Sequence, residues 1–244
     1  MNIEELVNTI AALPNDWHGC GTVSRNVLDA IVKHVGQTPP IKRSIETGSG
    51  CTTLLFSHLS QCHTVFALDS RESISQVRKS PLFNSATTTY IEGPTQRTLP
   101  THRFSEMHQL IMLDGPHAYP FPDLEYYFLY PTLAEGGLLI IDDAKIPSIL
   151  RMCEILQVDE MFELIEAVDN NTYFFRRTNA PTFNPFGDEW FLQKYNESFH
   201  KELFRTPPNT AIGRYLRAIG PCVPRSVVAL IPSLVKSAIL RRMY

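Results

Sequence analysis

Apolar residues recur at helical spacing twice near the start of the chain, at Ile3, Leu6 and Ile10 and again at Val23, Val27, Leu28, Ile31 and Val32. Two amphipathic helices are therefore expected ahead of the first glycine cluster. From Ile41 onward the pattern changes. Short β-branched or apolar runs alternate with helical stretches: RSIET then TTLLFSHL, TVFALD then RESISQVRK, TTTYIE, QLIMLD then DLEYYFLYPTL, and GLLIID then PSILRMCEIL. Such alternation predicts parallel strands joined by right-handed crossovers, an α/β doubly wound sheet. The series ends differently, because only Asp169, Asn170 and Asn171 separate MFELIEAV from TYFFRR. That gap is too short for a crossover helix and suits a hairpin. The expected sheet is mostly parallel and seven-stranded, with a reversed last strand.

The pattern divides the chain into three regions: a helical entry or lid segment over 1–40, a core over 41–178, and a proline- and aromatic-rich appendage over 179–244 that contains PTFNPFGDEWFLQKYNESFHKELFRTPPNT. The stretch from Arg225 to Tyr244 holds four basic residues and no acid, with Val227, Leu230, Ile231 and Leu234 on one helical face and Pro232 near its middle. The plainer reading of it is a docking or homo-oligomer-forming element, and the sharper one is a membrane-surface helix.

Composition narrows the function classes. The formal net charge is −3, with no long basic run before the C-terminus, so the electrostatic footprint of a nucleic-acid binder is missing. Five cysteines, an odd number and none in a C-x-x-C pair, argue against a disulfide framework and a thiolate zinc site and fit a reducing cytoplasm. The N-terminus lacks the basic flank and apolar run of a signal peptide, and no stretch approaches the ~18 continuous apolar residues of a membrane span.

In SIETGSGCTTLLF a strand runs through glycines into a helix, which lets backbone approach a ligand closely and turns helix N–H groups toward an anionic group. Gly48 and Gly50 would make the turn. Thr53 stands where a dinucleotide fingerprint G-x-G-x-x-G has its third glycine, so a pyrophosphate is not specified. S-adenosylmethionine has no phosphate, only a carboxylate, an amine, a sulfonium and a nucleoside. Asp69 lies nineteen residues after Gly50 at the end of TVFALD, where a doubly wound fold sets a carboxylate on a ribose diol. Glu46 is placed to bond the ligand's amine or the loop itself. The candidate cofactor contacts are Glu46, Gly48, Ser49, Gly50, Thr52, Thr53, Asp69 and Asp114.

A second cluster is acidic. QLIMLDGPHAY puts Asp114 at the end of the fourth strand and GGLLIIDDAK puts Asp142 and Asp143 at the end of the fifth, the sheet edge on which ligands bind. Neighbouring strands lie ~4.8 Å apart, so these three carboxylates can converge on one hard cation such as magnesium. The plain alternative is that Asp114 caps a turn and Asp143 a helix beginning near Ile146. His117, three residues past Asp114, is suited to remove a proton near neutral pH. His18, beside Trp17, suits a lid, and Asp123 reads as the N-cap of the helix after it.

Taken in order, ETGSG, ALD, DGPHAY and GGLLIIDD resemble the class I S-adenosylmethionine-dependent methyltransferases, and specifically the subfamily of macrocin-type sugar O-methyltransferases, over about Ser44 to Arg177. Catechol O-methyltransferase is a more distant likeness. The resemblance implies S-adenosyl-L-methionine as cofactor, magnesium on Asp114, Asp142 and Asp143, His117 as base, and a small-molecule or sugar hydroxyl as methyl acceptor. A metal-independent methyltransferase and a non-catalytic S-adenosylmethionine-binding protein are the rivals. A nicotinamide oxidoreductase fits Asp69 but neither Thr53 nor the terminal hairpin, and DGPH lacks the D/N-P-P-Y run of nucleobase amino-methyltransferases.

Overall fold

The structure, a computed structural model, describes residues 2–17, 21–38, 40–182, 190 and 193–199. The lid reading of His18 and the basic terminal helix from Arg225 to Tyr244 lie outside these residues. The chain divides into two compact units, 1–188 and 189–244. In the second, the described residues include a single 3-10 turn at Lys194–Asn196, with the rings of Trp190 and Phe199 5.9 Å apart.

The first unit runs α1 (Ile3–Ala11), α2 (Arg25–Val35), β1 (Arg43–Thr47), α3 (Cys51–Leu59), β2 (Cys62–Ala67), α4 (Ser73–Lys79), β3 (Thr88–Glu92), α5 (Thr95–Thr98), β4 (His108–Leu113), α6 (Phe121–Leu129), β5 (Leu133–Ile141), α7 (Pro147–Val158), β6 (Phe162–Val168) and β7 (Thr172–Arg177). The seven strands form one sheet in the order β3-β2-β1-β4-β5-β7-β6. All neighbours are parallel except that β7 lies antiparallel to both β5 and β6. The short spacer after β6 does give a hairpin, and Asp169 and Asn170 make its turn in the left-handed region, at φ 53° and 52°.

Strict alternation in the central strands divides their side chains between two layers. Leu110 and Met112 of β4 and Leu138 and Ile140 of β5 pack with α1, α2 and α3 through Leu6, Ile10, Leu28, Ile31, Leu54 and Phe56. Ile111, Leu113, Leu139 and Ile141 point the other way, onto Leu129 of α6 and Met152, Cys153 and Leu156 of α7. Each such fully buried side chain contributes roughly 1.5–3 kcal/mol, so both layers are needed to hold the sheet between them. The two N-terminal helices thus belong to the core layer. Each has a side-chain cap: Asn2 accepts from the Glu5 N–H at 2.7 Å, and Ser24 accepts from the Val27 N–H at 3.3 Å.

Two local expectations are corrected. Helix α6 begins at Phe121, so Asp123 sits inside its first turn and is no N-cap; proline at the first positions fixes the entry. Helix α7 likewise begins at Pro147 after Ile146, with no side-chain cap from Asp143.

From β1 the chain winds outward to β2 and β3, then returns to start β4 on the other side of β1. A crevice opens at that reversal, beyond the strand ends. Among the described residues, no helix is long and apolar enough to cross a membrane.

Candidate active site

A cleft of about 780 Å³ occupies this crevice, lined from one end to the other by the loop after β1, the segments after β2 and β3, the loop after β4, the end of β5, the β6–β7 turn and residues 21–24 of the N-terminal segment. Its two ends are built differently.

At the first end, residues 48–50 make the whole connection between β1 and α3. Gly48 has φ +89°, and a Cβ there would stand 2.1 Å from the Asp114 carbonyl oxygen. Only glycine meets both demands, so the loops after β1 and β4 touch at the switch point. Glu46 fixes the first turn of α3. Its carboxylate, 1% exposed, accepts the hydroxyl of Thr53 at 2.6 Å and that of Thr52, while Thr53 Oγ1 accepts the Gly50 N–H at 3.0 Å. His63 backs the same carboxylate at 3.4 Å and has its other ring nitrogen 2.8 Å from Ser44 Oγ. Of its two expected roles, Glu46 is engaged with the loop. Ser49 meets the Tyr90 hydroxyl of β3 at 3.0 Å. Cys51 opens α3, yet burial first and Glu46 second push its thiol up to about 12, so it is no nucleophile.

Asp69 is not brought to the cleft. Its carboxylate accepts the N–H groups of Ile74 and Ser75 at 2.9 and 3.3 Å and the Ser75 hydroxyl at 2.6 Å, and these bonds, the hydroxyl foremost, hold its pKa below the ordinary range. It anchors the start of α4, while neighbouring Leu68, Ser70 and Arg71 line the cleft. Thr95 and Gln96, after β3, line it too, Gln96 with a buried side-chain oxygen that lacks a hydrogen-bond partner. No sequence motif had marked them.

At the other end stand Asp114, His117 and Asp143, each offering one donor atom, all within 4.8 Å of one another. His117 Nε2 lies 3.0 Å from Asp143 Oδ2 and 3.5 Å from Asp114 Oδ1. Asp114 and then Asp143 raise the imidazole pKa to about 10, so its resting form carries a proton. Burial pushes the Asp114 carboxyl up against the pull of His117, whereas the His117 hydrogen bond draws Asp143 down. Asp142 lines the cleft as well but is buried, and burial raises its pKa. It accepts the Thr172 hydroxyl at 2.5 Å and the Asn171 amide at 3.2 Å. Of the three acids expected to converge, two lie with the histidine, and Asp142 lines the same cleft with its carboxylate engaged by Asn171 and Thr172.

Several contributors were missed by sequence reasoning. Thr47 Oγ1 accepts the Asp114 N–H at 3.0 Å and so seats that loop. Glu125 lies buried beneath Gly115, whose Cβ would fall 2.1 Å from Glu125 Oε1; burial pushes this carboxyl up to about 7, with Thr95 and Thr47 opposing. Asp169 joins the hairpin turn to the N-terminal segment through Ser24 Oγ at 2.5 Å and Asn26 Nδ2 at 3.0 Å. The DNN run had signalled only a turn.

Residues 45–144 match the family model described as a methyltransferase domain. Together with the strand order and the reversed β7, that match decides the fold. It is the class I S-adenosylmethionine-dependent methyltransferase fold. Solved methyltransferases share it. The O-methyltransferase NovP aligns at TM-score 0.57 and 17% identity, over 72% of this chain and 98% of NovP. Methyltransferase PaMTH1 of Podospora anserina, bound to SAH, aligns at 0.52 and 14%, over 72% and 88%. The O-methyltransferase TomG of Streptomyces achromogenes, in complex with SAM, aligns at 0.51 and 11%, over 71% and 90%. A comparison with curated proteins gives no match.

Proposed function

We propose that this methyltransferase fold moves a methyl group from S-adenosylmethionine to a hydroxyl of a polar small molecule or sugar, in the manner of the macrocin-type enzymes it resembles. The observation that carries the reading is the continuity of one cleft from the Gly48–Thr53 loop to the Asp114–His117–Asp143 group. Cofactor and acceptor would meet there within a single space. The acceptor end presents Thr22, Ser24, Lys145 and Asn171, with no aromatic side chain among its described lining. Such walls suit a hydroxylated ligand better than a flat phenol, which would need apolar surface.

The loop from Gly48 to Thr53 would hold the methionine part of the cofactor, with the Asp114 carbonyl close by. Thr95 and Gln96 would face the nucleoside. The acceptor oxygen would approach the methyl carbon in line with the sulfur; the oxygen–carbon bond forms as the sulfur–carbon bond breaks, leaving S-adenosylhomocysteine. His117 would take the hydroxyl proton, for which it must first lose its own. Alignment of the reacting atoms contributes most of the acceleration.

The donor set fits a divalent cation: magnesium takes one or two carboxylates and keeps several waters, which Asp114 and Asp143 can satisfy while His117 stays free. When bound, the ion would supply a Lewis acid that lowers the pKa of the acceptor hydroxyl. One observation favours the metal-independent reading, namely that His117 Nε2 already pairs with Asp143 at 3.0 Å. Mass spectrometry for a single added methyl on a panel of sugars and phenols tests the reaction, and the same assay in excess chelator separates the two readings. Absence of product on every sugar and phenol would remove the acceptor class proposed.

A further inference from the structure

We propose that Asn171 is a positioning residue that ties the two consecutive aspartates after β5 at the cleft, holding Asp143 beside His117 and Asp142 against Thr172. The proposal rests on the cation reading above and concerns how this chain prepares its carboxylates.

Two adjacent acids at a strand end have no intrinsic reason to differ. Here Asn171, in the β6–β7 turn, bonds both, and their other partners, Thr172 and His117, make them differ. Its side-chain amide carries two hydrogens: Nδ2 lies 3.2 Å from Asp142 Oδ1 and 3.3 Å from Asp143 Oδ1, so each carboxylate takes one. Its Oδ1 accepts the Lys145 N–H at 3.4 Å, and its main-chain carbonyl accepts the Ala144 N–H at 2.8 Å. One residue therefore binds four consecutive positions, 142–145. The amide orientation is fixed by these partners, because reversing it would set an oxygen against two carboxylates. The consequences fall unequally. Asp142 Oδ1 is doubly satisfied by Asn171 and Thr172 in a buried place, whereas Asp143, with φ 59°, keeps Oδ2 on the cleft side, 3.0 Å from His117. Removing the amide frees Asp143 to rotate and leaves the two acids to repel each other without a donor between them.

Outer partners of this kind change metal affinity about ten- to a hundredfold. The test uses Mn²⁺ as the probe, titrated by electron paramagnetic resonance with S-adenosylhomocysteine bound. Asn171→Ala is expected to weaken Mn²⁺ binding at least about tenfold and to alter the spectrum of the bound ion, with S-adenosylhomocysteine affinity unchanged. Asn171→Ser, which keeps one donor, is expected to lie between and serves if the alanine variant folds poorly. Asn170→Ala strains the same turn without touching either aspartate, and its Mn²⁺ affinity should match the unaltered protein. Unchanged Mn²⁺ affinity in Asn171→Ala, or an equal loss in Asn170→Ala, would overturn the proposal in favour of a simple turn role. If the unaltered protein binds S-adenosylhomocysteine but no Mn²⁺, the cation reading itself fails and the proposal with it.

Discussion

The two ends of the cleft are made by opposite means. Around Glu46, eight consecutive residues (46–53) close on themselves: the carboxylate is buried, its oxygens are taken by Thr52 and Thr53, and the glycine turn is pressed against the next loop. Around Asp143 the groups come from two separate segments, the loop after β4 and the end of β5, and the side chains of Asp114, His117 and Asp143 remain 29%, 41% and 37% exposed. The first end is finished before any ligand arrives. The second carries paired charge that water still reaches, so it can exchange partners when a cation or acceptor enters. The difference suits a ligand that never varies on one side and a reacting group that must be ionised on the other.

The largest blow to this contrast should come from Gly48→Val. A Cβ at that position would overlap the Asp114 carbonyl and sit at φ +89°, so stability should fall by more than about 4 kcal/mol, read by urea denaturation, and cofactor binding should be lost. Asp143→Asn should come next. Mn²⁺ affinity should drop at least about tenfold while S-adenosylhomocysteine affinity stays put, and Asp142→Asn should cost less because Asp142 Oδ1 is already taken by Asn171 and Thr172. An equal effect at the two positions would erase the distinction between them.

Glu46→Gln probes the other end. Losing the charged acceptor of two buried hydroxyls should weaken S-adenosylhomocysteine binding by roughly 1–2 kcal/mol in calorimetry without moving Mn²⁺ affinity; a change in both would mean the ends are coupled. The smallest effect is expected at Asp69→Ala, about 1 kcal/mol of folding stability through the lost anchor of α4. Because Asp69 titrates below its ordinary value when folded, its contribution is present above about pH 4 and fades as pH falls through the lower folded value. The deficit of the variant should therefore vanish on acidification. A marked loss of cofactor affinity in this variant would show instead that the carboxylate leaves α4 to reach a ribose.

The same contrast explains what could be read from the chain. Alternating runs and the three-residue spacer before TYFFRR were enough for the seven strands and the reversed last one, since period and loop length are local properties. The glycine turn was legible for the same reason. Asp69 shows a second use of its position, because a strand-end carboxylate nineteen residues after Gly50 is also well placed to anchor a helix, and here it bonds Ile74 and Ser75. Asp142 and Asp143 were indistinguishable as letters; what separates them is partners elsewhere in the chain, Thr172 for the first and His117 for the second. Ser24, Asn26 and Glu125 were invisible for a similar reason: their partners are set by the packing of α2 and α6.

The most direct measurement is a calorimetric titration of the unaltered protein with S-adenosylmethionine, run beside Gly48→Val. One site per chain is predicted, with a dissociation constant between about 1 µM and 1 mM, the range usual for enzyme substrates, and no binding by the variant. If the unaltered, folded protein gives no binding up to several times that upper limit, the cleft is not a cofactor site and the account is contradicted.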